Sequence, residues 1–248
     1  MPDALGWRIK FGVIAPSTNT VVQPEFDAMR PAGVTNHFSR IHIPNDPLAG
    51  DDDFTRLIET VRREMMAAID RVMTCEPGHL IMGMSSETFW DGLDGSERLK
   101  ERVEARAGVK VTMGSDAARQ ALAQYGPIRR IGVVTPYMPV ADEQVRRFFT
   151  DCGYEVARLD GLKCRSPVLI SHVSEPELRD AIRRVDADGV EAIVQVGTNL
   201  AMARLAGFAE FWLGKPVVAI NTATYWHALR RNGIVDRCDG FGALLRDY

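Results

Sequence analysis

Residues 80–92, Leu-Ile-Met-Gly-Met-Ser-Ser-Glu-Thr-Phe-Trp-Asp-Gly, carry the pattern that decides the fold. A short apolar run ends near a glycine, and small hydroxyl residues follow it. Buried strands of parallel sheets deliver polar groups to the sheet edge in this way. The same pattern recurs at residues 12–20, 132–137 and 193–200. The sequence therefore predicts that four strand ends meet at one pocket.

The chain also repeats itself at a larger scale. Gly-Val-Ile-Ala-Pro at residues 12–16 matches Gly-Val-Val-Thr-Pro at residues 132–136, an offset of 120. Strands alternate with helical patterns throughout, which favours parallel sheets with helices on both faces. Two such halves facing each other form a cleft at the C-terminal ends of their strands, where ligands of open parallel sheets bind.

Two helices are predicted from clear local signals. Residues 54–72 place apolar side chains at the i, i+3, i+4, i+7 spacing of an amphipathic helix. Residues 45–53, rich in Asp, Pro and Gly, are predicted to be a loop. Ser174 is the expected N-cap of a helix over residues 175–185, with Pro176 in its first turn.

Composition excludes several classes of function. The chain has 248 residues, 46% of them hydrophobic and 25% charged, with a net charge of −3 and no basic block. Nucleic acid and anionic membranes are therefore not expected as partners. No apolar run approaches a membrane span, and the N-terminus lacks a signal core, so a cytoplasmic location is expected. The cysteines are scattered without CxxC spacing, which predicts free thiols and no zinc site.

The turn after the first strand is the first candidate binding segment. Ser17, Thr18 and Asn19 follow a strand and precede a helix. Exposed backbone N–H groups, an amide and hydroxyls suit a carboxylate or a phosphate. An N-cap role for Asn19 is the alternative. No GxGxxG or GxxxxGK[ST] motif is present, so a dinucleotide or P-loop nucleotide site is not predicted.

The second candidate segment is Ser85-Ser86-Glu87. The two serines could donate hydrogen bonds to an oxyanion, or they could cap a helix. Glu87 could act as a general acid or base if the cleft raises its pKa. The alternative for Glu87 is a first-turn carboxylate that interacts with the helix dipole.

The second half of the chain offers matching side chains. Tyr137 could donate its hydroxyl to a substrate oxygen or could simply pack. Thr198 and Asn199 mirror the two serines, and Asn221 follows the last strand. Met84 is expected to form pocket wall or core.

On these motifs the chain resembles the aspartate/glutamate racemase superfamily, in the branch of maleate isomerase and arylmalonate decarboxylase. Residues 16–20, Pro-Ser-Thr-Asn-Thr, resemble the carboxylate-gripping Pro-Ser-Ser-Asn-Thr of maleate isomerases. Residues 83–92 resemble the Met-Gly-Thr-Ser-Leu-Ser-Phe-Tyr-Arg-Gly segment of arylmalonate decarboxylase. Tyr137 falls where that branch has an active-site tyrosine. Residues 215–230 look like the last strand and the Trp-His-Ala-Leu-Arg helix of the family.

The resemblance implies an α/β fold of two Rossmann-like (flavodoxin-like) lobes. Their parallel sheets are related by a pseudo-twofold axis, and the active site lies in the cleft between them. Residues 1–115 plus 222–248 would form the N-terminal lobe, and residues 116–221 the C-terminal lobe. The resemblance also implies no metal, no organic cofactor, and a homodimer or homotetramer.

The sequence departs from the family pattern at the catalytic cysteines. The resemblance implies one cysteine per lobe in racemases and isomerases, and only the second-lobe cysteine in arylmalonate decarboxylase, but these positions hold Met84 and Gly197. A thioether and a hydrogen atom cannot shuttle a proton or attack an alkene. We therefore expect catalysis to depend on Ser85, Ser86, Glu87 and Tyr137. Substrate binding is expected from Ser17, Thr18, Asn19, Met84, Gly197, Thr198, Asn199 and Asn221.

The expected function is a cofactor-free enzyme acting on a small organic acid. It would bind a carboxylate and stabilise an oxyanion or enediolate during decarboxylation, isomerisation or racemisation. One alternative is a hydrolase of a small cyclic amide or ester, with Glu87 activating water. The other is a carboxylate-binding protein that kept the pocket and lost the chemistry.

Overall fold

The computed structural model describes residues 3–248, which form two four-stranded sheets in which every pairing is parallel. The first lobe contains β1 (Ile9–Pro16), β2 (Val34–Ile41), β3 (His79–Met82) and β4 (Val111–Thr112). The second lobe contains β5 (Arg130–Thr135), β6 (Glu155–Gly161), β7 (Ala192–Gln195) and β8 (Val217–Ala219). The strand orders, β2-β1-β3-β4 and β6-β5-β7-β8, are equivalent. The predicted α/β fold with repeated halves is confirmed.

Helices connect the strands and cover the sheets. They are α1 (Val22–Ala28), α2 (Asp51–Met73), α3 (Gly92–Ala107), α4 (Gly114–Gln124), α5 (Pro139–Asp151), α6 (Glu175–Val185), α7 (Ala203–Leu213), α8 (Ile220–Arg231) and α9 (Ala243–Asp247). Two short 3₁₀ turns, Ser86–Phe89 and Val168–His172, lie in loops. Neither these turns nor α9 were predicted.

Helix α2 begins earlier than its apolar pattern suggests. Asp51, Asp52 and Asp53, predicted to lie in a loop, form its first turn. Carboxylates there interact favourably with the partial positive charge of the helix N-terminus. Helix α6 begins as predicted, because Ser174 and Glu177 form a reciprocal capping box.

One of the three apolar clusters described in the core contains residues of both lobes and holds them together beside the cleft. Phe89 of the first lobe packs against Phe148 and Phe149 of α5, with ring centroids 4.9 and 5.7 Å apart. Helix α8 follows the last strand of the second sheet but contacts β3 and β4 of the first. The lobe boundaries at residues 115 and 222 stay a prediction.

Several surface properties bear on partners. Within residues 3–248, no helix combines the length and apolar character needed to cross a membrane. All four cysteines are free thiols. Helix α7 exposes three aromatic side chains, Phe208, Phe211 and Trp212. The expected homodimer or homotetramer stays a prediction.

Candidate active site

A cavity of about 60 Å³ lies where the ends of β1, β3, β5 and β7 meet, and both lobes contribute to its wall. Most of the predicted site residues line it: Thr18, Asn19, Met84, Ser85, Ser86, Tyr137, Gly197, Thr198 and Asn199. The remaining wall is largely apolar and is formed by Pro16, Ile43, Phe54, Leu57, Val61, Pro136, Pro167 and Ile170. The structure therefore brings the four strand ends to one site.

Ser85 joins the two lobes at the base of the cavity. Its hydroxyl oxygen accepts hydrogen bonds from the backbone N–H groups of Gly197 at 3.1 Å and Thr198 at 3.0 Å. These two acceptor bonds leave the hydroxyl proton free to be donated. The residue is buried, and its hydroxyl also makes a hydrogen bond with that of Tyr137.

Asn19 both holds the backbone at the start of α1 and lines the cavity. Its Oδ1 accepts from the backbone N–H groups of Val21 and Val22, at 3.0 and 2.9 Å, at the start of α1. Its Nδ2 donates to the hydroxyl of Thr198 at 3.0 Å, across the cleft. The same hydroxyl donates to the carbonyl of Gly83 at 3.2 Å. The N-cap of α1 is Val21 and not Asn19, and a role of Asn19 in substrate binding stays a prediction.

Asn199 holds loops together at the rim. Its Oδ1 accepts from the backbone N–H of Thr20 at 3.0 Å, and its Nδ2 donates to the carbonyl of Pro167 at 3.0 Å. The Asn199 amide therefore has a structural role.

By contrast, the Thr18 and Ser86 hydroxyls make no hydrogen bond to any described residue, and both line the cavity. They remain available to a ligand.

Tyr137 is the one ionisable side chain among the described residues that line the cavity. Burial raises the pKa of its hydroxyl well above the usual value, and a hydrogen bond with Ser85 works in the opposite direction. The hydroxyl therefore stays protonated at neutral pH. Its backbone N–H donates to the Thr135 hydroxyl at 3.1 Å, and Thr135 donates to Asp142. Burial raises the pKa of Asp142 to about 7.

Glu87 lies outside the cavity, contrary to the expectation that it would act on a substrate there. It faces the opposite side of the 3₁₀ turn, where its Oε1 accepts from Nε of Arg62 at 2.7 Å. Successive side chains in a 3₁₀ helix are separated by about 120°. Because Ser86 points toward the cavity, Glu87 points away from it. Burial raises the pKa of Glu87, but the residue does not face this site.

Ser17 and Asn221 also lie outside the cavity lining. The exposed Ser17 exchanges hydrogen bonds with the backbone of Ile43, at 3.2 and 3.1 Å, and so holds the loop after β2. Asn221 is buried behind Thr198, to whose carbonyl its Nδ2 donates at 3.0 Å. Both residues support the cavity from outside, and neither contacts its interior.

Glu25 is a supporting residue that the sequence did not reveal. Its Oε2 accepts from Nδ2 of Asn221 at 2.6 Å, and its Oε1 accepts from the backbone N–H of Ala203 at 3.0 Å. Burial raises its pKa to about 7. A glutamate in the first turn of α1 carries no visible signal of this role, because its partners lie in the other lobe.

Two loops, one from each lobe, cross over the cavity. The backbone N–H of Leu48 donates to the carbonyl of Arg165 at 2.7 Å. The backbone N–H of Val168 donates to Oδ1 of Asn45 at 3.0 Å. Pro167 and Ile170 of the second loop line the cavity directly, so these contacts close the site from above.

Gly197 has a backbone that a side chain would not tolerate. Its φ of +112° lies in a region that glycine adopts readily and other residues rarely do. A Cβ atom built there would lie 2.5 Å from Cδ of Pro136. At the other side of the cavity, Met84 contributes a thioether to the wall. The cavity lining described therefore contains no thiol.

This fold and site define a class of two-lobed α/β enzymes with an interlobe pocket. The family model for arylmalonate decarboxylase matches residues 12–245. The chain belongs to the arylmalonate decarboxylase family.

Individual relatives and solved structures agree with this family assignment. Maleate isomerase of Pseudomonas putida is 25% identical over 262 residues, covering 95% of this chain and 96% of that protein. The structure of Nocardia farcinica maleate cis-trans isomerase, a cysteine-to-serine mutant with a covalently bound succinylcysteine intermediate, superposes with a TM-score of 0.86 at 19% identity. That match covers 96% of this chain and 98% of the other. An arylmalonate decarboxylase structure gives a TM-score of 0.80 at 20% identity, covering 96% and 99%.

These findings confirm the predicted resemblance and the predicted fold. The relatives are an isomerase and a decarboxylase, so the chain is a member of an enzyme family of this kind, as expected. The roles of individual residues stay predictions.

Proposed function

We propose that this chain is a cofactor-independent enzyme that decarboxylates a small malonate-type acid without a catalytic cysteine. The observation that supports the proposal is a set of neutral donors in an otherwise apolar cavity. Ser85, Ser86, Thr18 and Tyr137 offer hydroxyl groups to a carboxylate, and no lysine, arginine or histidine is among the described lining residues. Such donors, fixed in advance and shielded from water, stabilise developing oxyanions strongly.

The apolar wall suits the rest of such a substrate. Ile43, Phe54, Leu57 and Met84 can contact an alkyl or aryl substituent on the carbon between the two carboxylates. A carboxylate held against this wall loses hydration, whereas a carboxylate near the hydroxyls keeps hydrogen bonds. The cavity thus favours loss of the first group as CO₂ and retention of the second.

Decarboxylation is the reaction whose demands this cavity best meets. The bond from the central carbon to the departing carboxylate breaks, CO₂ leaves, and the electron pair spreads into the remaining carboxylate as an enediolate. No base is needed for this step. Isomerisation or racemisation through paired cysteines needs thiols, and the described lining offers none.

A proton must then reach the central carbon. Tyr137 holds a proton at neutral pH and is the ionisable group of the described cavity lining. Its hydroxyl proton would pass to the enediolate carbon, and the tyrosinate would regain a proton from water and leave hydroxide. Its contacts with Phe54, 5.4 Å between ring centroids, and with Ser85 fix the ring in place.

The position of Glu87 bears on the alternatives. A hydrolase of a cyclic amide or ester would need a base to activate water, and Glu87 was the residue expected to serve. Because Glu87 faces away from the cavity, the hydrolase hypothesis lacks the base that was expected to activate water. The binding-protein alternative is an outcome of the test below.

The test is turnover of phenylmalonate and methylmalonate in D₂O, followed by proton NMR. We expect a monocarboxylic acid with deuterium at the α-carbon. Tyr137→Phe should lower kcat/KM by about 10²–10³-fold. Tyr154→Phe is the matched control, because Tyr154 packs on Phe149 away from the cavity. Malonates that raise the melting temperature but stay unchanged for days would contradict the proposal and favour a binding protein.

A further inference from the structure

A second pocket lies on the other side of the 3₁₀ turn from the cavity, and we call it the arginine pocket. Its volume is about 410 Å³. It is formed between α2, α3 and the turn, and it is lined by Arg62, Glu87, Trp90, Asp91, Gly95, Arg98, Leu99 and Arg102. It shares no lining residue with the candidate active site.

The guanidinium groups of this pocket are largely uncommitted. Arg98 and Arg102 stand one turn apart on α3, are exposed, and form no ion pair within residues 3–248. Like charges at this spacing destabilise a helix slightly. Two neighbouring guanidinium groups are well suited to hold one carboxylate. An anion is thus the natural occupant of this end of the pocket.

The floor of the pocket is formed by a carboxylate rather than by guanidinium groups. Glu87 is 5% exposed; its Oε1 accepts from Arg62, and its Oε2 has no partner among the described residues. A buried carboxylate oxygen without a donor is uncommon in folded proteins. Rotation of the carboxylate toward the pocket would let a hydroxyl or ammonium group of a ligand satisfy it. Trp90, with the Arg62 guanidinium 5.8 Å from its ring centroid, supplies an apolar wall.

We propose that the arginine pocket binds a small hydroxy acid or amino acid. Its carboxylate lies against Arg98 and Arg102, and its hydroxyl or ammonium group donates to Glu87. The three arginines exceed the two carboxylates of the lining by one positive charge, which matches a single carboxylate. This site stands apart from the proposed decarboxylation, and it holds or fails independently.

The arginine pocket is joined to the candidate active site by direct contacts. Glu87 follows Ser85 and Ser86 in one short turn. Trp90 stacks on Phe54, with an interplanar angle of 4° and centroids 6.4 Å apart, and Phe54 lines the cavity. A ligand that fixes Glu87 and Trp90 therefore holds residues that adjoin two parts of the cavity wall.

The test compares lactate with propionate, its analogue without the hydroxyl, by isothermal titration calorimetry. L-serine and inorganic phosphate are the further probes. We expect lactate and serine to bind more tightly than propionate. The double variant Arg98→Gln/Arg102→Gln should weaken lactate at least 10-fold. The control Arg179→Gln/Arg183→Gln removes an equally spaced exposed pair on α6 and should leave the affinity unchanged.

Glu87→Gln tests the floor of the pocket separately. It should abolish the preference for lactate over propionate while leaving propionate binding within about twofold. Equal lactate affinity in wild type and in the Arg98/Arg102 double variant would place the ligand elsewhere, and it would overturn the proposal. So would the absence of lactate and serine binding to the wild type. Phosphate binding that depends on the arginines, with no lactate preference, would leave a plain anion site and refute the hydroxy-acid assignment.

Discussion

Replacing Glu25 by glutamine should change how the stability of this protein depends on pH. Glu25 links the lobes through Asn221 and the backbone of Ala203. Burial raises its pKa from 4.5 to about 7, mainly because the charged form loses hydration. Glutamine keeps the size of the side chain and removes the titration, so the pair of proteins isolates this one group.

The sign follows from proton linkage. Between about pH 4.5 and pH 7 the folded protein keeps the Glu25 proton and the unfolded chain loses it. The favourable contribution is therefore fully present below about pH 4.5 and is lost as the pH rises through 7. The difference between the two pKa values corresponds to about 3 kcal/mol at most. Because Glu25 keeps some contact with solvent, we expect about 1–3 kcal/mol.

The assay is equilibrium urea unfolding of wild type and Glu25→Gln at pH 5 and pH 8. Between pH 5 and pH 8, the free energy of unfolding of the wild type should fall by about 1–3 kcal/mol relative to that of the variant. Asp142 also has a raised pKa, but it is present in both proteins and cancels in the difference. Glu59→Gln, on the exposed face of α2, controls for removal of a carboxylate from the same lobe. A wild-type-minus-variant difference that is the same at both pH values would refute the reasoning.

Two further substitutions test the geometry of the cavity. Gly197→Ala should lower the free energy of unfolding in urea by about 3 kcal/mol or more, because its methyl group would meet a proline ring and its φ is positive. The control Gly126→Ala has a φ of +97° but lies in open space, so it should lower the free energy of unfolding by about 1–2 kcal/mol. Equal costs would show that the proline ring yields freely. Ser85→Ala should cost about 2 kcal/mol by leaving two backbone N–H groups without their acceptor, and it should weaken malonate binding in calorimetry. Ser86→Ala should leave stability nearly unchanged, and a loss as large as that of Ser85→Ala would contradict this account.

The architecture was readable from the sequence because its signals are local and repeated. The matching strand-and-turn segments at residues 12–20 and 132–137 predicted equivalent strands, and β1 and β5 occupy the same place in their sheets. Ser174 and Pro176 marked the start of α6 correctly. Such features depend on a few neighbouring residues, so they can be predicted without knowledge of the tertiary structure.

The site was only partly readable, because part of its geometry depends on direction and on distant partners. Glu87 stands next to Ser86 in sequence but faces the other way, and only the 3₁₀ turn reveals this. Glu25 meets partners that lie 178 and 196 residues further along the chain. Ser17 resembled a ligand donor, yet it holds the backbone of Ile43. Residue type and spacing cannot separate these cases.

The backbone at Gly197 has a consequence for how this chain can change. A single substitution cannot introduce a thiol at this position without displacing its neighbours. The new side chain would collide with Pro136 before any chemistry could begin. Position 84 carries no such obstacle, because it already holds a full side chain in Met84. An engineered protein with one thiol in each lobe would therefore need a rebuilt Pro136 loop for position 197, whereas position 84 needs no change of this kind.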